Sequence, residues 1–194
     1  MAMKIIGGAA SGITLSTPKT KDVRPTGVRA KKALFDSLTS SHSFIGKTVV
    51  DLFAGTGGLG LEAASRGAEK VYLIEKSRLH CRLAEENIAK LQRAGVDTYM
   101  KVIQADAVAT PLRTANLYKS VDLIFADPPY AKFAFFYSKL LSDQKFAEWA
   151  DDALMVWEQP PDFQLPENNN SLLWQIDTTR RFAQTSFMFL KRRG

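Results

Sequence analysis

The tetrapeptide Asp127-Pro128-Pro129-Tyr130 combines groups that can hold a planar base by its exocyclic amino group. Two successive prolines keep the backbone extended and remove two N–H donors, so the Asp127 carboxylate and the Pro128 carbonyl remain as acceptors at a fixed position. An amino group that donates both hydrogens to them has its nitrogen lone pair aimed at an incoming group, which is catalysis by positioning. Tyr130 adds an aromatic face for the base, worth about 1–3 kcal/mol by stacking.

The position of this tetrapeptide distinguishes it from an ordinary rigid turn. Pro-Pro pairs are common in loops, so the four residues alone are compatible with a simple strand-end turn. They follow the mostly apolar run 121–126 directly, and a glycine-rich turn lies upstream at 51–60. That combination favours a target site over a plain turn.

The segment 51–60 reads DLFAGTGGLG and lies between a predicted strand and a predicted helix. A tight turn without side chains lets a ligand approach the backbone, and we expect its amides to point outward. The glycines at 55, 57 and 60 also match the dinucleotide fingerprint, so NAD(P) or FAD is an open alternative. The negative charge of Asp51 would repel a pyrophosphate bound beside it. It suits a ligand with a cationic group at one end, such as the amino group of S-adenosylmethionine.

Two further acids are predicted at the ends of the next strands. Glu75 follows Gly55 by about 20 residues, where a carboxylate can accept hydrogen bonds from ribose hydroxyls. Asp106 ends the third strand and suits an adenine amino group. Any one of these acids could be a plain strand-end or capping residue. Three of them at successive strand ends favour a ligand site.

In this order, the glycine turn, Glu75, Asp106 and the DPPY box resemble class I S-adenosylmethionine-dependent methyltransferases that act on an amino nitrogen. The segments 4–8 (KIIGG) and 24–35 (RPTGVRAKKALF) narrow the resemblance to the RsmD family. These bacterial enzymes methylate N2 of one guanine in the 16S ribosomal RNA of the small subunit. The resemblance covers nearly the whole chain.

The resemblance implies a Rossmann-like α/β fold, with a seven-stranded, mostly parallel sheet in the order 3-2-1-4-5-7-6, the last strand antiparallel and helices on both faces. It implies S-adenosyl-L-methionine as cofactor, S-adenosyl-L-homocysteine as product, and the assembled 30S particle as partner. The implied cofactor contacts are Asp51, Phe53, Gly55, Gly57, Glu75 and Asp106, and the implied catalytic contacts to the target are Asp127, Pro128 and Tyr130. The chain departs from the family at 11–15 (SGITL), where a basic pattern like RGRKL is usual.

The elements needed to position these residues can be read from the alternation of strand and helix patterns after Lys47. Strands are predicted at 49–53, 71–74, 100–103, 121–126, 153–157, 172–176 and 186–190. Helices are predicted from an N-cap at Thr26, over 59–66, from a cap at Ser77 to Leu91, and over 133–141. Strands alternating with helices form a mainly parallel sheet with its ligand edge at the carboxyl ends. The short link 177–185 predicts a final hairpin.

The charge of the chain is unevenly distributed. Its 194 residues carry a net charge of +6, and all of the excess lies in residues 1–47, with eight basic and two acidic residues. We therefore divide the chain into a basic, RNA-facing arm at 1–47, made of a hairpin plus a helix, and a methyltransferase domain at 48–194. The expected RNA contacts are Arg24, Arg29, Lys31 and Lys32, which could bind phosphates. The alternative is a solvated helix face.

Weaker candidates for RNA contact lie elsewhere in the chain. The basic residues at 180, 181 and 191–193 form a second potential patch, although terminal basic residues are often only solubilising. Lys132 and Phe135 fall off the apolar face of their helix, so they could flank the target base.

Composition excludes several classes of protein. One cysteine and two histidines are too few for a disulfide framework or a metal cluster, so we expect no metal. The sequence has no apolar run of about 18 residues and no signal-peptide pattern, which predicts a cytoplasmic protein without membrane contact. A monomer is the default at this size. The remaining alternatives are an adenine-N6 DNA or RNA methyltransferase, a protein-glutamine methyltransferase, a nucleotide-dependent oxidoreductase, and a non-enzymatic assembly factor.

Overall fold

Seven strands and six helices are described in the computed structural model, which covers residues 3–18, 27–161, 163, 172–182 and 184–194. The strands are β1 Thr48–Asp51, β2 Lys70–Glu75, β3 Tyr99–Gln104, β4 Leu123–Ala126, β5 Leu154–Gln159, β6 Trp174–Phe182 and β7 Thr185–Arg192. The helices are α1 Val28–Ser41, α2 Gly60–Ser65, α3 Arg78–Arg93, α4 Thr110–Arg113, α5 Phe133–Leu141 and α6 Gln144–Ala150.

The strands form one sheet in the order β3-β2-β1-β4-β5-β7-β6. The five strands from β3 to β5 pair in parallel, and β7 is antiparallel to both β5 and β6. This confirms the predicted strand order, the mixed direction of the sheet and the final hairpin. The hairpin link is shorter than predicted, because β6 extends to Phe182 and β7 begins at Thr185.

Two hydrophobic cores cover the two faces of the sheet, which explains why its central strands are apolar on both sides. Successive residues of a strand point to opposite faces. Val49 thus packs in the first core, with α1, α2 and α3, whereas Val50 packs in the second core, with α5 and α6. In β4, Phe125 and Ile124 divide in the same way.

The N-terminal segment folds back on itself and packs into the first core. Lys4 and Thr14 form an antiparallel bridge, and the Ile5 amide donates to the Ile13 carbonyl at 3.0 Å. Ile5 and Leu15 are buried in the first core, beside side chains of β1 and β4. The described part of the predicted arm therefore has the predicted hairpin and helix and shares its core with the rest of the chain.

Three local predictions need correction. Helix α1 begins after Gly27 as its N-cap, and Thr26, the predicted cap, lies outside the described residues. The apolar pattern of the helix predicted from Ser77 to Leu91 places Leu79 on its inward face, but Leu79 is 57% exposed, because the buried face of α3 begins at Cys81. The short helix α6 was not predicted; its cap is Asp143, whose side chain accepts the Phe146 amide hydrogen at 2.9 Å.

Within the described ranges, no helix combines the length and the apolar character needed to cross a bilayer.

Candidate functional site

A cavity of about 910 Å³ opens at the carboxyl edge of the sheet, where the predicted site residues meet. Its wall is built from the glycine turn after β1, the ends of β2 and β3, and the DPPY box after β4. Met3, Lys4 and Ile6 of the N-terminal hairpin and Lys31 of α1 close another side. Parallel strands bring these segments together because their carboxyl ends share one edge.

Asp51 ends β1 with a buried carboxylate, only 1% exposed, that lines this cavity. Its Oδ2 accepts the Gly60 amide hydrogen at 2.9 Å, whereas its Oδ1 has no hydrogen-bond partner among the described residues. Burial raises the pKa of Asp51 to about 7, and the nearby Glu75 carboxylate adds to this rise, against the opposing effects of the Gly60 amide, the Lys31 ammonium and the Phe53 amide. A buried acceptor without a partner is costly. Its environment suits a cationic hydrogen-bond donor brought by a ligand.

Three amides of the segment 55–60 are bonded within the chain, contrary to our expectation that the amides of the turn point outward. The Gly55 amide donates to Glu75 Oε2 at 2.9 Å and the Gly57 amide to the Ala54 carbonyl at 2.7 Å. Gly60 donates to Asp51, as described above. The acids at the ends of β1 and β2 thus take the amides that a dinucleotide pyrophosphate would need. This arrangement disfavours the oxidoreductase alternative.

Gly57 packs against α2, and its contact with the cofactor stays a prediction. The neighbouring Gly55, Thr56 and Gly58 form the cavity wall, and Gly57 is buried behind them. Its φ is +92°, and a Cβ at this position would lie 2.8 Å from Leu61 Cδ1. Glycine is therefore required here by the backbone angle and by the close approach of α2.

Glu75 and Asp106 lie in the cavity wall as predicted, and both are oriented by neighbouring groups. The Oε1 of Glu75 accepts the Ser77 amide hydrogen at 2.6 Å, while Oε2 holds Gly55. Asp106 accepts from Lys76 Nζ at 2.9 Å and from the Val108 amide at 3.3 Å. Partial burial opposes the ionisation of Asp106, but these two hydrogen bonds outweigh it, so its pKa lies below the usual value.

The DPPY box forms the opposite side of the cavity. Asp127 and Tyr130 are half-buried and Pro128 is buried, and all three line the cavity. The Tyr130 hydroxyl donates to Glu158 Oε1 at 3.0 Å, and Glu158 is itself buried at the end of β5. The base-binding groups predicted from the sequence are therefore brought together with one acid that was not predicted.

Two aromatic side chains in the cavity wall contact each other. Phe53, a predicted cofactor contact, lines the cavity and meets Phe136 edge to face, with ring centroids 4.8 Å apart. Lys132 lines the cavity beside them, whereas Phe135 is exposed on α5.

Residues 3–191 match the family described as Conserved hypothetical protein 95. The chain is 30% identical over 191 residues to "Ribosomal RNA small subunit methyltransferase D" of Escherichia coli K12, covering 98% of this chain and 90% of that protein. The chain belongs to the RsmD family.

Solved structures share the fold of this chain. A hypothetical protein from Thermus thermophilus superposes with a TM-score of 0.75 at 30% identity, over 98% of this chain and 99% of that one. An RNA methyltransferase from Salinibacter ruber, solved with S-adenosyl-L-homocysteine, shares the fold with a TM-score of 0.58 at 16% identity, over 84% of this chain and 93% of that one.

The four predicted RNA contacts of this RsmD-family chain have different surroundings. Arg29 and Lys32 are exposed on α1, with Lys32 paired to Asp36 one turn later. Arg24 lies outside the described residues. Lys31 requires a correction: it is 5% exposed, and its Nζ lies 3.1 Å from Glu62 Oε2, so it is unavailable to a phosphate.

Glu62 is a buried acid that sequence reasoning missed. It is 0% exposed and binds the N-terminal hairpin: Oε2 accepts from the Ile6 amide and Oε1 from the Gly7 amide, both at 2.8 Å. Arg66 Nε lies 3.1 Å from Oε1, so Glu62 is flanked by two cations. It links α1, α2 and the hairpin that closes the cavity.

Proposed function

We propose that this chain transfers the methyl group of S-adenosylmethionine to the exocyclic N2 of a guanine in 16S ribosomal RNA, in the assembled small subunit. The observation that carries the proposal is the pairing, in one cavity, of the DPPY box with a buried Asp51 Oδ1 that has no partner among the described residues. The name of the Escherichia coli relative, a small-subunit ribosomal RNA methyltransferase, supports the substrate class.

The donor half of the cavity fits S-adenosylmethionine, which supplies a methyl group on a sulfonium that is already a good leaving group. Asp51 Oδ1 would accept from the amino group, which satisfies a buried acceptor that the described part of the chain leaves open. Glu75 would accept from the ribose hydroxyls and Asp106 from the adenine amino group. Phe53 and the backbone at Gly55 would complete the wall.

The target half orients the guanine and needs no covalent enzyme intermediate. Asp127 would accept from N2–H and N1–H, and the Pro128 carbonyl would accept the second N2 hydrogen. Tyr130 would stack on the base. The guanine must leave its stack to enter, at a cost of a few kcal/mol unless it is already unpaired, so a loop or bulge is the favoured target.

The RNA would approach over α1. Arg29 and Lys32 are exposed there, and Arg24 precedes them in the chain. Arg180 of β6 hydrogen-bonds to Ser37 of α1, so part of the second predicted basic patch adjoins the first. Elsewhere in the second patch, Lys191 forms an ion pair with Asp177 and Arg192 with Asp151. These two acids partly neutralise its positive charge.

Parallel transfer assays test this function. Purified protein and radiolabelled S-adenosylmethionine are incubated with small subunits, naked 16S ribosomal RNA and duplex DNA. We expect label in the small subunits above all. Label only in DNA would overturn the proposal and favour an adenine-N6 DNA methyltransferase. Label in naked RNA but not in subunits would overturn the assembled-particle part.

A further inference from the structure

We infer that Glu158 is a positioning residue for the target base, acting through Tyr130. The Glu158 carboxylate is 5% exposed, lines the cavity, and accepts the Tyr130 hydroxyl at 3.0 Å. The inference rests on the proposed function for the identity of the base that stacks on Tyr130.

The sheet register places Glu158 beside the DPPY box. Strands β4 and β5 run in parallel with Ala126 opposite Trp157, and Asp127 and Glu158 are the residues that follow this pair. Phe125 and Val156, two positions earlier on each strand, both point into the first core. Because side chains alternate along a strand, Glu158 leaves β5 on that same face, and Asp127 follows the last residue of the neighbouring strand β4.

Tyr130 depends on this contact because of where it lies. It begins a short 3₁₀ turn, Tyr130–Lys132, which lies between the DPPY box and α5. The backbone there has little regular structure that could fix the orientation of the tyrosine ring. Its hydroxyl bond to Glu158 ties the ring to β5, a strand buried on both faces. A half-buried tyrosine hydroxyl needs a partner, and the Glu158 carboxyl oxygen supplies the acceptor.

The hydrogen bond to Glu158 therefore fixes the plane of the Tyr130 ring before the target base binds. A stacking surface held in advance avoids the ordering cost that a mobile ring would add to each binding event. It also fixes the base relative to Asp127, which must meet the amino group at a defined angle. Misplacement of a reacting group by about 1 Å can cost about a hundredfold in rate.

Four variants separate this role from a merely structural one: Glu158→Leu, Glu158→Gln, Tyr130→Phe and the double variant E158L/Y130F. Glu148→Leu is the matched control, because Glu148 is exposed on α6 and bonds only to the surface residue Gln144 among the hydrogen bonds described. For each, kcat and KM for small subunits, the S-adenosylhomocysteine Kd and the thermal midpoint are measured. Subunit binding in the presence of S-adenosylhomocysteine is measured as well, and it needs no turnover.

We expect E158L and Y130F each to lower kcat/KM by about 10- to 100-fold, with donor affinity unchanged. The double variant should be no worse than the poorer single variant, because both remove the same contact. E158Q keeps an oxygen acceptor and should recover most of the activity, and Glu148→Leu should behave as the wild type.

Additive losses in the double variant would overturn the inference, as would an E158Q variant as impaired as E158L, or a parallel loss of donor affinity. The proposed function fails separately: if the wild-type protein methylates a different nucleotide, the same four variants, assayed on that substrate, still measure the coupling between Glu158 and Tyr130.

Discussion

The Asp51 carboxylate accepts the Gly60 amide hydrogen through Oδ2 at 2.9 Å and leaves Oδ1 buried without a hydrogen-bond partner in the described part of the chain. One oxygen thus caps the start of α2, where a helix terminus attracts negative charge. The residue itself lines the cavity. The hydrogen bond to Gly60 explains why the buried Asp51 carboxylate is tolerated at the end of β1. The oxygen without a partner indicates that a ligand would supply a hydrogen-bond donor.

Asp51→Asn should weaken binding of S-adenosylhomocysteine by about 10- to 100-fold, since a charged hydrogen bond contributes about 1.5–3 kcal/mol. The amide oxygen can still accept from Gly60, so the fold should persist. Isothermal titration calorimetry gives the affinity, with the exposed Asp97→Asn as the control. Unchanged donor affinity in Asp51→Asn would contradict the assignment.

The raised pKa of Asp51, about 7, predicts a pH dependence with a definite sign. An acid with a higher pKa in the folded than in the unfolded state destabilises the fold as pH rises from about 4 to 7. Compared with Asp51→Asn, the wild-type protein without ligand should therefore lose thermal stability over that range. Calorimetric melting curves from pH 4.5 to 8 test this; a constant difference between the two proteins would refute it.

Donor affinity should show the opposite trend. The amino group of the ligand needs ionised Asp51, so affinity should rise as pH increases towards 7 and level off above it, while Asp51→Asn stays flat. Titrations of both proteins at pH 6, 7 and 8 are sufficient to compare them.

The acids of the site could be predicted because Glu75 and Asp106 closely follow local strand patterns, and Asp51 lies within one, just before the glycine turn. Asp51, Glu75 and Asp106 needed only the alternation of strands and helices. Glu158 carries the same signal, an acid at the end of an apolar run, and could have been found by applying that rule to β5. The sheet order came from the family resemblance.

Other features depend on contacts between residues distant in sequence. Lys31 lies on the buried face of α1 with Leu34 and Phe35, so the helical period could have separated it from the exposed Lys32. Its ion-pair partner, Glu62 on α2, could not be read from the local pattern. The inward direction of the Gly55 amide depends in the same way on Glu75, 20 residues later.

Glu62→Gln should destabilise the fold by about 3–5 kcal/mol, because it leaves the buried Lys31 ammonium without its partner. Thermal unfolding measures the loss. Glu69→Gln is the control, since Glu69 pairs with Lys70 at the surface, where ion pairs contribute about 0–1 kcal/mol. Equal losses in the two variants would show that the buried network is unimportant.

The double variant R29A/K32A should weaken binding to small subunits and lower the salt dependence. Each lost phosphate contact reduces the slope of log K against log salt by about 0.7–0.9. K139A/K145A removes the same charge from exposed positions on α5 and α6, the helices packed on the other face of the sheet, and should leave binding unchanged. Equal effects of the two double variants would mean that net charge alone governs binding.

The central claim is tested most directly by digesting small subunits to nucleosides after incubation with S-adenosylmethionine and either wild-type protein or Asp127→Ala. We predict that the wild-type protein yields N2-methylguanosine and that Asp127→Ala yields none, while it binds S-adenosylhomocysteine normally. N6-methyladenosine from the wild-type protein, or undiminished N2-methylguanosine from Asp127→Ala, would contradict the account.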